Sequence, residues 1–152
     1  MPDKATIQRA KKDKAEGKSA STQAGEFVKE TIEKMRKGEH GARSTKQAIA
    51  IGLSKARRAG VDLPLPKKGT VSEKTRKSAV TATRAGKDHP DRPVSRKRSA
   101  ATTKALKRES TAAASHDALS KQAKQQARKR TPEERSAIAR KAARTRKANA
   151  GE

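Results

Sequence analysis

The chain has 152 residues, with 40 Lys and Arg against 16 Asp and Glu, and a formal net charge of +24. Its hydrophobic fraction of 30% is mostly alanine: 28 Ala leave 18 larger apolar side chains, Phe27 is the sole aromatic, and Trp, Tyr and Cys are absent. Leu, Ile, Val and Phe number 16, about a tenth of the chain and half the ~20% below which a highly charged sequence is expected to be disordered. A conventional globular enzyme with one large core is excluded. So are disulfides, thiolate chemistry and cysteine zinc sites.

The longest mainly apolar run, Ala48 to Leu53, is far shorter than the roughly 20 residues of a membrane helix, so no membrane insertion is expected. Met1-Pro2-Asp3-Lys4 opens the chain without the apolar region of a secretory signal. The expectation is a soluble intracellular protein whose partner is a polyanion, and nucleic acid is the leading one.

In chain order, Asp3 to Glu16 reads as a helix with Ile7 as its only large apolar anchor, and residues 1–19 as a basic N-terminal helical arm. A helix from Thr22 to Lys37 follows, because Val28, Ile32 and Met35 recur at helical spacing beside Phe27. Its acidic residues Glu26, Glu30 and Glu33 precede Lys34, Arg36 and Lys37, as the helix dipole prefers, and Gly38 supplies the stop. The next helix opens at Ser44 with Gln47 three residues on, a capping box. Ile49, Leu53 and Ala56 form one face, and Gly60 suits the left-handed position after the last turn, with Val61 placed to touch Ala56. Gly38 to Arg43 is a connection of the length that joins antiparallel neighbours. Residues 20–66 therefore read as a helical hairpin in which Phe27, Ile32, Ile49 and Leu53 meet, with an apolar edge open to homodimer formation.

Pro64, Pro66, Lys67, Lys68 and Gly69 then read as an extended, stiffened linker. Residues 1–66 carry 15 basic and 8 acidic side chains, whereas 67–152 carry 25 and 8. That tail is helix-permissive over 71–85, 96–109, 116–130 and 132–148 but lacks an apolar face. Its clearest start signal is Thr131 as cap, Pro132 in the first turn and Glu134 completing a capping box. The expected fold class is all-α: a small helical hairpin followed by a largely disordered, helix-permissive basic tail.

Catalytic and metal chemistry is sought without result. Ser115-His116-Asp117 holds the residue types of a hydrolase triad, but contiguous residues do not assemble one. His40, His89 and His116 are isolated from one another, and Lys67-Lys68-Gly69-Thr70 has phosphate-loop residue types in the wrong order. Adjacent Glu133 and Glu134 suit a helix start. No catalytic residue, metal or cofactor is expected.

Basic clusters are the positive signal. Candidate phosphate-binding residues are Lys46, Lys55, Arg57 and Arg58 on the exposed side of the second helix, then Lys67, Lys68, Arg96, Lys97, Arg98, Lys107 and Arg108. Arg128, Lys129, Arg130, Arg140, Lys141, Arg144, Arg146 and Lys147 complete the set. Readers of single strands stack bases on aromatic platforms, which this chain does not have to spare, so duplex DNA is favoured over RNA. Arg92-Pro93 with Arg96-Lys97-Arg98 is similar to minor-groove-inserting arms, without their Gly-Arg-Pro core. With Gln47 almost alone as a base-edge reader, the second helix suits phosphates better than sequence readout.

The run Gly41 to Gly60, with Lys46-Gln47-Ala48-Ile49-Ala50-Ile51-Gly52-Leu53-Ser54 at its centre, resembles a family of small basic bacterial proteins of unassigned function. Ser21 to Val28 looks like the segment preceding that helix in longer members, so the resemblance covers about residues 20–66. It implies DNA binding. Thr131 to Lys147 is similar to the repeat of small hydrophilic bacterial stress proteins, with Ala142-Ala143 where those carry Gly-Gly, and the Ala/Lys-rich tail resembles the tails of histone H1-like bacterial proteins. The expected function is non-enzymatic, mostly sequence-independent DNA binding by phosphate neutralisation, in the cytoplasm at the nucleoid. A hydrophilic stress or desiccation protein, an RNA- or ribosome-associated basic protein, and a protein-binding adaptor are the alternatives.

Overall fold

A computed structural model describes residues 2–89 and 95–150. Seven α-helices run through them: α1 (Lys4–Ala15), α2 (Ala20–Arg36), α3 (Thr45–Arg58), α4 (Glu73–Asp88), α5 (Arg96–Leu106), α6 (His116–Arg128) and α7 (Pro132–Ala150), with a single 3-10 turn at Thr111–Ala114. The chain divides into two compact units, Met1–Ser115 and His116–Glu152.

Local signals place the helix ends. Ser19 caps α2 by accepting the Thr22 N–H, and Ser44 caps α3 by accepting the Gln47 N–H at 3.2 Å. Gln47 Oε1 returns a bond to the Arg43 N–H at 2.8 Å, so the expected capping box closes one residue upstream of the cap itself. At the other end of α3, Gly60 lies at φ +86° and the Val61 N–H donates to the Ala56 carbonyl at 3.1 Å. This is the left-handed ending anticipated there, and Val61 and Ala56 share one buried cluster.

The helices α2 and α3 form the antiparallel pair expected from their short connection. Gly52 faces Val28, Lys55 reaches Glu30, and both Arg36 and Thr45 bind the same 3-10 turn. The seam differs from the quartet read off the large apolar residues. Phe27 and Ile32 are buried and the half-buried Leu53 packs against the cluster that holds Phe27, as expected, but Ile49 is only half-buried, and Ala48, Gly52 and Ala56 line the seam as well. A Cβ on Gly52 would stand 2.6 Å from the Val28 Cα, so the two backbones approach more closely than a larger side chain permits. Close backbone approach supplies dispersion contacts where bulky side chains are scarce.

A hairpin followed by a largely disordered tail is therefore not what forms. The first unit has helices on both sides of the α2–α3 pair. Through Thr6, Ile7 and Ala10, α1 packs onto it; Thr6 and Ala10 are buried. Residues beyond the linker also join, since α4 meets the C-terminal end of α3 with Ala82 and Gly86 buried. A Cβ on Gly86 would lie 2.1 Å from the Arg57 carbonyl oxygen, and Lys87 pairs with Asp62 at 3.5 Å. The linker is pinned as well: the Arg57 guanidinium donates to the Pro64 carbonyl at 2.8 Å, with Leu63 buried beside it. Counting large apolar residues undervalued the small ones, whose contribution comes from proximity.

The second unit is helical too. In α7 the anticipated capping box is complete: Glu134 N–H donates to Thr131 Oγ1 at 3.2 Å and Thr131 N–H donates to Glu134 Oε2 at 3.0 Å. No residue of α6 is buried, although Leu119 is half-buried, and Ile138 in α7 is 47% exposed. The intrinsic propensity of Ala, Arg, Lys and Gln favours both helices, and the capping box adds to α7.

Candidate nucleic-acid interface

Most of the anticipated phosphate-binding cations are free to meet a polyanion. Lys46, Arg58, Lys67, Lys68, Arg96, Lys97, Arg98, Lys107 and Arg108 are exposed in the first unit. In the second, Arg128, Lys129, Arg130, Arg140, Lys141, Arg144, Arg146 and Lys147 are exposed. Arg92 and Pro93, the basis of the minor-groove resemblance, lie outside the described residues.

Two candidates are withdrawn from that set. Arg57 is not on the exposed side of α3: it is 7% exposed, wedged beneath α4 and the linker, and burial pulls its pKa down. Its one bond to the Pro64 carbonyl is intramolecular glue, and its Nε has no partner. Lys55 is committed to Glu30, at 3.4 Å. Helical periodicity does not separate these residues from Arg58, because the docking of α4 decides which side of the last turn is covered.

The Glu30 carboxylate, 4% exposed, gathers three elements. It accepts from the Asp3 backbone N–H at 3.0 Å, from Lys34 at 2.9 Å and from Lys55 at 3.4 Å, tying the start of α1 to α2 and α3. Burial works against the charged carboxylate, but hydrogen bonds from Lys34, Asp3 and Thr6 and the Lys55 charge outweigh it, holding Glu30 at about 2. Burial also disfavours the charged Lys34, and its bonds to Asp3 and Glu30 raise its pKa overall. This knot is structural and withdraws two lysines from the surface charge.

A second long-range arrangement has no counterpart in the sequence pattern. The segment from the end of α5 through the 3-10 turn closes over the connection between α2 and α3. Gly41 N–H donates to the Leu106 carbonyl at 2.9 Å and Ala42 N–H to the Ser110 carbonyl at 3.1 Å. Arg43 pairs with Glu109 at 3.2 Å, Thr45 Oγ1 donates to the Ala113 carbonyl at 2.8 Å, and Arg36 Nε to the Ala114 carbonyl at 3.0 Å. Ala114, Ala42, Ala48 and Met35 are buried at this end of the helix pair. We refer to residues 106–114 as the clasp. It brings Lys107 and Arg108 to the end of the bundle that also presents Arg36, Lys37, Arg43 and Lys46. Arg36, Lys37 and Arg43 escaped the sequence reading because they look like ordinary helix-end and turn residues. Their neighbours follow from long-range bonds, Arg43 to Glu109 and Arg36 to the Ala114 carbonyl, which no local periodicity encodes.

Residues 11–69 match a family of unknown function, DUF6496. The matched stretch runs from within α1 to the turn before α4 and includes α2 and α3 whole. It encloses residues 20–66, where the resemblance to an uncharacterised family was expected; α4 and the clasp lie beyond it. No curated protein and no solved structure matches the chain.

Proposed function

We propose that this protein binds duplex DNA without enzymatic activity and largely independently of sequence, neutralising phosphates as a nucleoid-associated, histone H1-like protein in the cytoplasm. One observation carries the reading. Seventeen of the nineteen anticipated cations are exposed, and among the described residues none of those seventeen pairs with a carboxylate. A net charge of +24 that is left uncompensated repels itself, and binding a polyanion relieves that repulsion while releasing condensed counterions. The exposed face of α3 offers Lys46 and Arg58 to phosphates and little to base edges.

Electrophoretic mobility shifts with duplex DNA, single-stranded DNA and RNA at 50 and 200 mM salt test the proposal. With about 6–10 phosphates contacted, affinity for duplex DNA falls by roughly 10³–10⁵ between the two salts, and scrambled duplexes bind within a few-fold of one another. Salt-independent binding, or tighter binding to RNA, refutes the reading.

A further inference from the structure

We propose that the end of the α2–α3 pair, closed by the clasp, is a composite phosphate-binding subsite for duplex DNA. Arg36, Lys37, Arg43 and Lys46 supply one side, Lys107 and Arg108 the other. The inference rests on the DNA-binding reading and goes beyond it by assigning a built site where that reading requires only distributed charge.

Geometry distinguishes this cluster from the other basic runs. Arg36 is held through Nε by the Ala114 carbonyl, and Arg43 through Nε by Glu109. Each guanidinium has five N–H donors, so one bond orients the group and leaves the rest available to a phosphate. Side chains ordered before binding lose less freedom on binding. The exposed cations of α7 have no such support among the described residues. Three carboxylates oppose this charge: Glu33, exposed one helical turn before Arg36 and Lys37, Glu39, which is exposed, and Glu109, which is spent on Arg43. Three of the six cations then remain uncompensated even if all three acids are fully counted.

Two segments distant in sequence meet here through backbone hydrogen bonds, so the cluster can be dispersed without changing any charge. A Cβ on Gly41 would stand 2.0 Å from the Glu109 carbonyl oxygen, and that atom is backbone that must move away. Gly41→Val therefore displaces the clasp while the net charge stays at +24. A second comparison sets Lys107→Gln with Arg108→Gln against Arg146→Gln with Lys147→Gln, equal charge losses inside and outside the subsite.

The experiment uses the full chain, a fluorescent duplex DNA and a duplex RNA of equal length, and anisotropy titrations across a salt series. Hydrogen exchange at the Gly41 and Ala42 amides reports the clasp. Gly41→Val is expected to lose protection at both amides, to bind DNA about tenfold more weakly and to lower the salt slope by about two phosphates. The Lys107/Arg108 pair is expected to weaken binding at least threefold more than the Arg146/Lys147 pair. Release of the clasp with unchanged affinity overturns the subsite, as do equal losses for the two glutamine pairs, which decide the question even if Gly41→Val does not fold. A loss confined to duplex RNA overturns the DNA assignment. A wild-type chain that binds no duplex overturns the underlying reading together with the subsite, whereas wild-type binding with indifferent variants overturns the subsite alone.

Discussion

Replacing Glu30 by Gln keeps the side chain's shape and removes the charge around which α1, α2 and α3 gather. Lys34 and Lys55, with side chains 20% and 21% exposed, are left without the carboxylate that compensates them. Linkage sets the scale. A carboxylate moved from 4.5 to about 2 on folding stabilises the folded chain by roughly 3 kcal/mol at neutral pH. Because the folded value is the lower one, that stabilisation is complete above about pH 4.5 and fades as pH falls through about 2. Asp3, which also accepts from Lys34 at 2.8 Å, retains part of the compensation. Glu30→Gln is thus expected to lose about 2–3 kcal/mol at pH 7, or roughly 10 °C in Tm, in the first unit. Urea unfolding of wild type and variant from pH 7 to pH 2, followed by circular dichroism, measures the difference. The gap between them should narrow steadily below pH 4.5 and nearly close near pH 2. A gap that is absent at pH 7, or that persists undiminished at pH 2, refutes the ionic account of this knot.

Gly86→Val sets a side chain against the Arg57 carbonyl and is expected to cost about 1–3 kcal/mol by forcing α4 off α3; proteolysis within 67–90 reports the separation, and wild-type resistance there contradicts the packing. Thr131→Ala removes one arm of the capping box of α7 and is expected to cost that helix about 1 kcal/mol. Faster amide exchange in the first turn of α7, with α2 and α3 unaffected, is the confirming pattern.

Helix boundaries were the most legible part of the chain. Ser44, Gly60 and the Thr131–Glu134 box act through bonds within a few residues, so their chemistry can be read from spacing alone. The packing was less legible because it rests on what is missing from a side chain. Gly86 resembles a helix stop, yet it sits inside α4 because only a bare Cα fits beneath Arg57. Ala48, Gly52 and Ala56 look like filler beside Ile49 and Leu53, yet the helices meet along them. For the interface, exposure of the basic runs followed from composition, but the withdrawal of Arg57 depends on a helix that periodicity alone leaves unplaced. The clasp was illegible for a different reason. Its bonds to Gly41 and Ala42 are made by backbone carbonyls, which every residue carries and no residue type announces.

A seam of alanine and glycine also has a calorimetric consequence. Apolar hydration dominates the heat-capacity increment of unfolding, which averages about 12–15 cal/mol/K per residue in ordinary globular domains. Helices that meet through Ala48, Gly52 and Ala56 bring much backbone into contact and expose little apolar area when they part. The increment of the first unit should therefore lie below that average, and its stability curve should be correspondingly flat. Chilling then weakens such a fold only slightly, while its melting spreads over a wide range of temperature.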